Sequence, residues 1–449
     1  MTNPENISLL RSFHLNRKFF IAIGVVIMIY AVGFMFSFFA IVAHISLTTI
    51  CILCAVECVV LLSQSIKLHA NRKSTRLLSL GDENQIHLNI SNESSVEFKI
   101  ILLDEIPYQF QLRDFSFEFK LSPNEKRSLT YTLRPLTRGE YQFGILNALV
   151  SCQFGFVSRR LLLAKPENIP VYPSIIQMKK FELIAFARIS NFAGIKKVRR
   201  LGHSYEFEKI RQYAVGDDIR SINWKATGRK NHLMVNQYED ERSQQVYSII
   251  DKSRSMHMPF NGLSLLDYAI NTSLVISNIA LKKYDKTGLI TFSNRIGSTV
   301  PADSSSIQLK KILAALYSEK SMTVESNYDL LYRAVKNVIR ARSLIFIYLN
   351  FESSYAMERV LPVLRKINHI HLLVVMIFEN TELVKFSTKK PEFVSDIYAQ
   401  TIAKKLLNDK KQLASKLRKH GIQTILSKPE DLSINSVNKY LELKSRGMI

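Results

Sequence analysis

A chain of 449 residues is too long for one ordinary domain and predicts two or three, each large enough to bury its own core. Its formal net charge of +23 and pI near 9.7 call for an anionic partner, nucleic acid or a membrane surface, and by themselves exclude neither. Only four cysteines occur; Cys51, Cys54 and Cys58 share one apolar run and Cys152 stands alone, which excludes a disulfide framework and a zinc site.

Residues 1–18 form a short N-terminal segment. From Phe19 to Val42 the chain reads "FFIAIGVVIMIYAVGFMFSFFAIV" without a charged residue, enough to cross a hydrocarbon core of about 30 Å as a helix. A second apolar run, Ile45 to Ile66, follows a polar break at His44. Together they predict a two-helix transmembrane hairpin over 19–66, with backbone bonds closed inside each helix and a run too long for a signal peptide. Arg11, Arg17 and Lys18 precede it, and Lys67, Arg72, Lys73 and Arg76 follow it, so both ends and everything after Ile66 are expected in the cytoplasm. Glu57 falls near the middle of the second run. An ionisable group there is costly, and it predicts an intramembrane polar contact, either to a partner helix or within a helix-helix seam.

Over 77–173 the pattern changes to period-two alternation, as in "QIHLNISN", "VEFKIILLD" and "FSFEFKLS", punctuated by Gly, Asn, Asp and Pro. That predicts an antiparallel β-sandwich-like domain serving as spacer or contact surface. Residues 192–241 are rich in charge and hold "GDDIRSINWKATGR", with Gly216, Asp217, Asp218, Arg220, Trp224 and Arg229. Asp217 and Asp218 would serve as an acid/base pair only beside a positioned histidine or nucleophile, and none accompanies them. The expected role is a salt-bridge network, with Arg220, Arg211 or Arg229, around a packed tryptophan. The preceding "KKVRR", Lys196 to Arg200, reads as a solvated basic loop, because no base-stacking aromatic pattern surrounds it.

From 242 to 449 continuous apolar strand candidates alternate with amphipathic helical stretches. The strands are "QVYSIID", "KTGLITFS", "SLIFIYLNF", "HIHLLVVMIF" and "IQTILS". Such alternation predicts a doubly wound, Rossmann-type α/β domain with a mostly parallel sheet covered on both faces. Ligands of such sheets sit at the carboxyl ends of the strands, where "DKSRSM" presents Asp251, Ser253 and Ser255. Carboxylate and hydroxyl oxygens at that spacing suit a hard divalent ion such as Mg²⁺. They also suit an ordinary turn bonded to its own backbone. The segment from Leu432 to Ile449 reads either as a docking helix or as packing.

The order of hairpin, β-region, the box from Tyr205 through Trp224 to Glu241, and "DKSRSM" on a Rossmann-like domain resembles the bacterial membrane-protein family called domain of unknown function fifty-eight. The resemblance implies a final domain like that of von Willebrand factor A, where an Asp-x-Ser-x-Ser turn supplies part of a metal-ion-dependent adhesion site. It implies a second loop at "SNYDLL", with Tyr328 in the place of a threonine and Asp329 beside it. At the third position Asn350 replaces an aspartate, so the metal set Asp251, Ser253, Ser255, Asn350 is degenerate and one negative charge short. It also implies a bacterial inner-membrane location and a MoxR-type AAA+ ATPase partner, other membrane or envelope proteins being further candidates.

The function expected from these readings is a membrane-anchored protein-interaction scaffold or adaptor, in chaperone-like or cell-envelope work, that is not an enzyme and does not bind nucleic acid. Two alternatives are weighed against it. A metal-dependent hydrolase would need Asp251, Asp217 and Asp218 in one pocket. A membrane-tethered nucleic-acid binder rests on charge alone.

Overall fold

The apolar N-terminal run folds as two helices, α1 (Arg17–Gly33) and α2 (Ser37–Leu62). The computed structural model describes residues 12–62, 66–73, 77–113, 115–192, 206–239, 243–351, 353–391 and 393–448. It divides into two compact units at Tyr172/Pro173. The break between the helices falls at 34–36, not at His44, which lies inside α2. His44 does not interrupt the helix because a polar side chain leaves the backbone bonds intact, and its ring nitrogen meets the Tyr30 hydroxyl of α1 at 2.6 Å. The turn forms where a side chain is missing: a Cβ on Gly33 would stand 2.7 Å from the Ala40 amide nitrogen. Moving the break shortens the first helix to 17 residues, about 26 Å. With 26 residues, α2 extends about 39 Å, and among the described residues it is the helix long and apolar enough to cross a membrane.

The rest of the first unit is mostly β. Its strands are β1 (Phe13–Leu15), β2 (Leu68–Lys73), β3 (Leu78–Ser79), β4 (Asn84–Asn92), β5 (Phe98–Asp104) and β6 (Ser116–Leu121). Then follow β7 (Lys126–Leu133), β8 (Gly139–Phe143), β9 (Leu146–Ser151), β10 (Val157–Ala164) and β11 (Glu167–Tyr172). They form one five-stranded sheet, β1-β10-β9-β5-β6, and two three-stranded sheets, β2-β4-β7 and β3-β11-β8. Burial alternates along β4 and β5, so one face of each meets the core. Arg72, expected among the cations flanking the membrane, is instead buried and paired with Asp104 of β5, which also accepts the Tyr131 hydroxyl. A count of positive charges cannot detect a partner 32 residues away.

The second unit opens with α3 (Ile175–Phe192), whose Phe181 enters the α/β core. A hairpin of β12 (Glu206–Gln212) and β13 (Met234–Glu239) encloses the short α4 (Trp224–Lys230). The main sheet has the order β18-β17-β14-β19-β20-β21. Its strands are β14 (Gln245–Asp251), β17 (Lys286–Phe292), β18 (Ile296–Asp303), β19 (Leu344–Leu349), β20 (Leu372–Phe378) and β21 (Gln423–Ser427), while β15 (Pro259–Phe260) and β16 (Leu263–Ser264) form a small separate hairpin. Only β18 runs antiparallel to its neighbour, making the sheet mixed. The first strand β14 lies between β17 and β19, so the connections leaving β14 and β19 diverge. Ligand crevices open at such a switch point.

The helices of this unit are α5 (Leu265–Lys282), α6 (Gln308–Ser318), α7 (Tyr328–Val338), α8 (Ser354–Ile370), α9 (Thr381–Thr388), α10 (Val394–Lys419) and α11 (Leu432–Ser445). One core cluster joins the sheet to residues of α3, α5, α6 and α11, and a second joins the sheet to α7, α8 and α10, so both sheet faces are covered. Full burial along β19 accounts for its unbroken apolar run. The C-terminal segment packs: Leu432, Val437, Tyr440 and Leu443 of α11 are core residues, and buried Asp285 accepts bonds from Tyr440 and, at 2.7 Å, from Lys444.

Candidate functional site

At the carboxyl end of β14, the sheet leaves Asp251 buried, 1% exposed, beside a short 3-10 turn over Arg254–Met256. Its Oδ1 accepts the Ser253 amide at 2.8 Å and the hydroxyl of Ser326, from the loop before α7. The Tyr328 hydroxyl lies close to the same carboxylate. Burial pushes the Asp251 carboxyl up, against these bonds. Ser253 and Ser255 hold each other's hydroxyls at 3.1 Å. Tyr328, expected in a threonine's place, therefore does face Asp251, and Ser326 shares that role.

Asn350 ends β19. Its amide donates to the Ser255 carbonyl at 3.1 Å, and its Oδ1 accepts from the ammonium of Lys410 at 2.9 Å. Lys410 reaches in from α10 and also donates to the Phe378 carbonyl, at the end of β20, at 2.8 Å. Burial lowers the Lys410 amine to about 8, with Glu379 acting in the opposite sense, so the amine is protonated at neutral pH. The structure thus brings together the four expected residues Asp251, Ser253, Ser255 and Asn350, and adds Ser326, Tyr328 and Lys410.

This donor set does not fit a hard divalent ion. It offers a single carboxylate whose Oδ1 already holds two protein donors, two serine hydroxyls bonded to each other, and an amide oxygen already bonded to a cation. Among the described residues no group of three or more His, Cys, Asp or Glu side chains is placed to hold a metal. Lys252, next to Asp251, turns to Glu319, which lies 2.8 Å away and is also bonded by Thr291 and the Ser298 amide. Ser326 opens the loop "SNYDLL" singled out from the sequence, but nothing there marked Lys410 or Glu319, ordinary polar residues whose partners here lie at least 21 positions away.

The charged segment is arranged differently from the expectation. Asp217 accepts from Arg211 and from the Ala214 amide at 2.8 Å, bonds that hold its carboxyl below the usual range. Gly216 takes φ +108, which favours glycine. Asp218 caps a 3-10 turn through the Arg220 amide, and Asn223 caps α4 through the Ala226 amide. Arg220 and Arg229 point outward. Trp224 is 70% exposed, not packed, and Val215 and Ile219 of the same hairpin are also exposed. The caps and the Arg211–Asp217 pair set the loop's shape, so its tryptophan is free of that task. Lys196 to Arg200 lie outside the described residues.

Glu57 is buried, 2% exposed, but neither a partner helix nor a helix-helix seam accounts for it. Its Oε1 accepts the Gly155 amide at 2.7 Å, and its Oε2 accepts those of Phe156 and Val157 at 2.8 and 3.0 Å. These amides belong to the turn after β9 and to the first residue of β10. The same turn takes bonds from Lys18 and Asn16, while Arg159 of β10 donates to the Leu61 carbonyl near the end of α2. With α2 ending at Leu62, Glu57 stands five residues from the helix end.

Fold and site together define a multidomain chain: an apolar helix able to cross a membrane, a mostly β region, and an α/β unit with a mixed sheet. Residues 209–384, which include Trp224, Asp251 and Asn350 but not Lys410, match the family described as protein of unknown function DUF58. The uncharacterized protein YeaD of Bacillus subtilis (strain 168) is 24% identical over 132 residues, 29% of this chain and 33% of that protein, so the chain spans about a third of the curated relative it matches. Among solved structures, a CARDB domain from Pyrococcus furiosus is 14% identical, with TM-score 0.17, over 24% of this chain and 90% of that one. Native alpha-2-macroglobulin from Escherichia coli is 19% identical, with TM-score 0.20, over 24% of this chain and 17% of that one. At such TM-scores neither likeness carries an argument about fold or function.

Proposed function

We propose that this chain is a membrane-anchored, non-enzymatic scaffold that docks a partner protein on the cytoplasmic side of a bacterial inner membrane. In this reading α1 and α2 form a re-entering hairpin with both ends in the cytoplasm, supported by Arg17 and Lys18 before it and Lys67 and Lys73 after it. The observation that carries it is the exposure of three apolar residues, Val215, Ile219 and Trp224, on one hairpin whose loop is shaped by side-chain caps. A preformed surface with an exposed tryptophan is the kind of patch that anchors a protein contact. Family resemblance favours a MoxR-type AAA+ ATPase as the partner and chaperone-like or cell-envelope work as the setting. The sheet order, with one antiparallel edge strand, supports a von Willebrand factor A-like reading of the α/β unit.

A hydrolase built on Asp251, Asp217 and Asp218 finds no support, since the three carboxylates share no hydrogen-bond partner. The test mixes the full chain, reconstituted in lipid nanodiscs, with a purified MoxR-type ATPase from the same genome and follows complex formation by size exclusion. Co-elution with the wild type, weakened at least about tenfold by Trp224→Ala, is expected. Absence of a complex with the wild type overturns the partnership.

A further inference from the structure

We infer that the ammonium of Lys410 is a tethered cation that takes the place of a metal ion at the carboxyl end of the sheet. The inference does not depend on the identity of the partner. Three strand-end segments meet here, and each is tied without a divalent ion. Asn350 at the end of β19 links to the Ser255 carbonyl beyond β14 through its amide, and to Lys410 through its oxygen. Lys410 continues the chain of bonds to the Phe378 carbonyl at the end of β20. A bound ion would do the same work by drawing oxygen atoms from several loops to one positive charge.

An ammonium is a compact cation with three directed donors on a flexible stem, so it can supply that charge from within the chain. Its two acceptors here are neutral oxygens, an amide and a backbone carbonyl, at 2.9 and 2.8 Å. Asparagine at position 350 fits this arrangement: its oxygen receives the ammonium while its NH₂ donates to Ser255, a bond that an aspartate could not make. Asp251, for its part, accepts an amide and a serine hydroxyl on Oδ1, donors that lie within its own strand-end loops. Lys410 is a positioning residue in this scheme, holding the β19 and β20 ends in register with the serine turn.

The experiment uses the full chain in non-ionic detergent micelles with Mn²⁺ as the probe, read by electron paramagnetic resonance, and pairs it with thermal unfolding of Lys410→Met and Lys410→Arg. Expected are no saturable Mn²⁺ site tighter than about 1 mM, a melting midpoint lowered by about 5 °C in Lys410→Met, and a smaller fall in Lys410→Arg, which keeps the charge. One Mn²⁺ bound per wild-type chain and lost in Asp251→Asn would overturn the inference. So would a Lys410→Met protein that melts like the wild type. The wild-type titration stands even where a variant fails to fold.

Discussion

Glu57 and Asp251 are both buried carboxylates, one on the apolar α2, where a polar intramembrane contact was expected, and one at the carboxyl end of the interior strand β14, where a metal ion was expected. Both are held by neutral donors, but the donors differ. At Glu57 three backbone N–H groups occupy both oxygens. At Asp251 one amide and one serine hydroxyl share Oδ1, with the Tyr328 hydroxyl close by. An N–H can only donate, whereas a hydroxyl can turn and accept. The amide cradle therefore demands a two-oxygen acceptor, and the hydroxyl cradle does not. Near the first site, partial burial and then the Glu57 carboxylate push the half-buried Cys152 thiol up to about 11.

Glu319 sets the upper end of the scale, because its partner is a true cation. Glu319→Gln leaves Lys252 buried without its counter-charge, and the expected loss is about 4 kcal/mol, measured by urea unfolding of the full chain in micelles. Burial pushes this carboxyl up, and bonds from Lys252, Ser298 and Thr291 outweigh it, so its net shift is downward. A lowered folded value contributes stability above the ordinary glutamate range and loses it as pH falls through the folded value. The wild type should therefore lose stability on acidification in that window, and the variant should lack that component. Unfolding curves that keep the same acid limb in the variant would assign it to other carboxylates.

The next effect in size is at Glu57. Glu57→Gln retains one acceptor oxygen for the Phe156 and Val157 amides and turns an NH₂ toward the Gly155 amide, donor against donor. Leaving that buried N–H unpaired and weakening two charge-assisted bonds costs about 3 kcal/mol. Limited proteolysis should report it first in the turn that follows Cys152, with the unfolding midpoint falling alongside. A variant as resistant as the wild type would mean that the turn does not depend on the carboxylate.

How far these sites could be read from the residues follows from the reach of each signal. The β and α/β regions were legible because burial imposes a period on the chain itself: alternation in β4 and β5, unbroken apolarity in β19. The hairpin turn was not, since apolarity runs on through Phe34–Phe36 and the stop is made by contact between Gly33 and Ala40. Asp251, Ser253, Ser255 and Asn350 were legible as a strand-end set, because "DKSRSM" and the end of β19 are local patterns. Lys410 was not, since it is one lysine of a lysine-rich helix and its role depends on β19 and β20, which pair with each other but are far from it in sequence. Trp224 was misread because a lone tryptophan among charges usually packs, and here caps shape the loop instead.

Asp251→Asn is the smallest expected effect and the sharpest test of the comparison. The asparagine keeps an oxygen for the Ser253 amide and the Ser326 hydroxyl, and its NH₂ can donate to the nearby Tyr328 hydroxyl, which is able to accept. The expected loss is below about 1 kcal/mol. Burial raises the Asp251 carboxyl, the opposite of Glu319. A raised folded value contributes stability below the ordinary aspartate range and loses it as pH rises through the folded value. The wild type should therefore weaken over that rise while Asp251→Asn does not, so the difference between the two proteins narrows toward neutral pH. Urea unfolding across the window measures it. A loss at neutral pH as large as that of Glu57→Gln would mean that the negative charge at Asp251 is required, and a cation would then have to stand beside it.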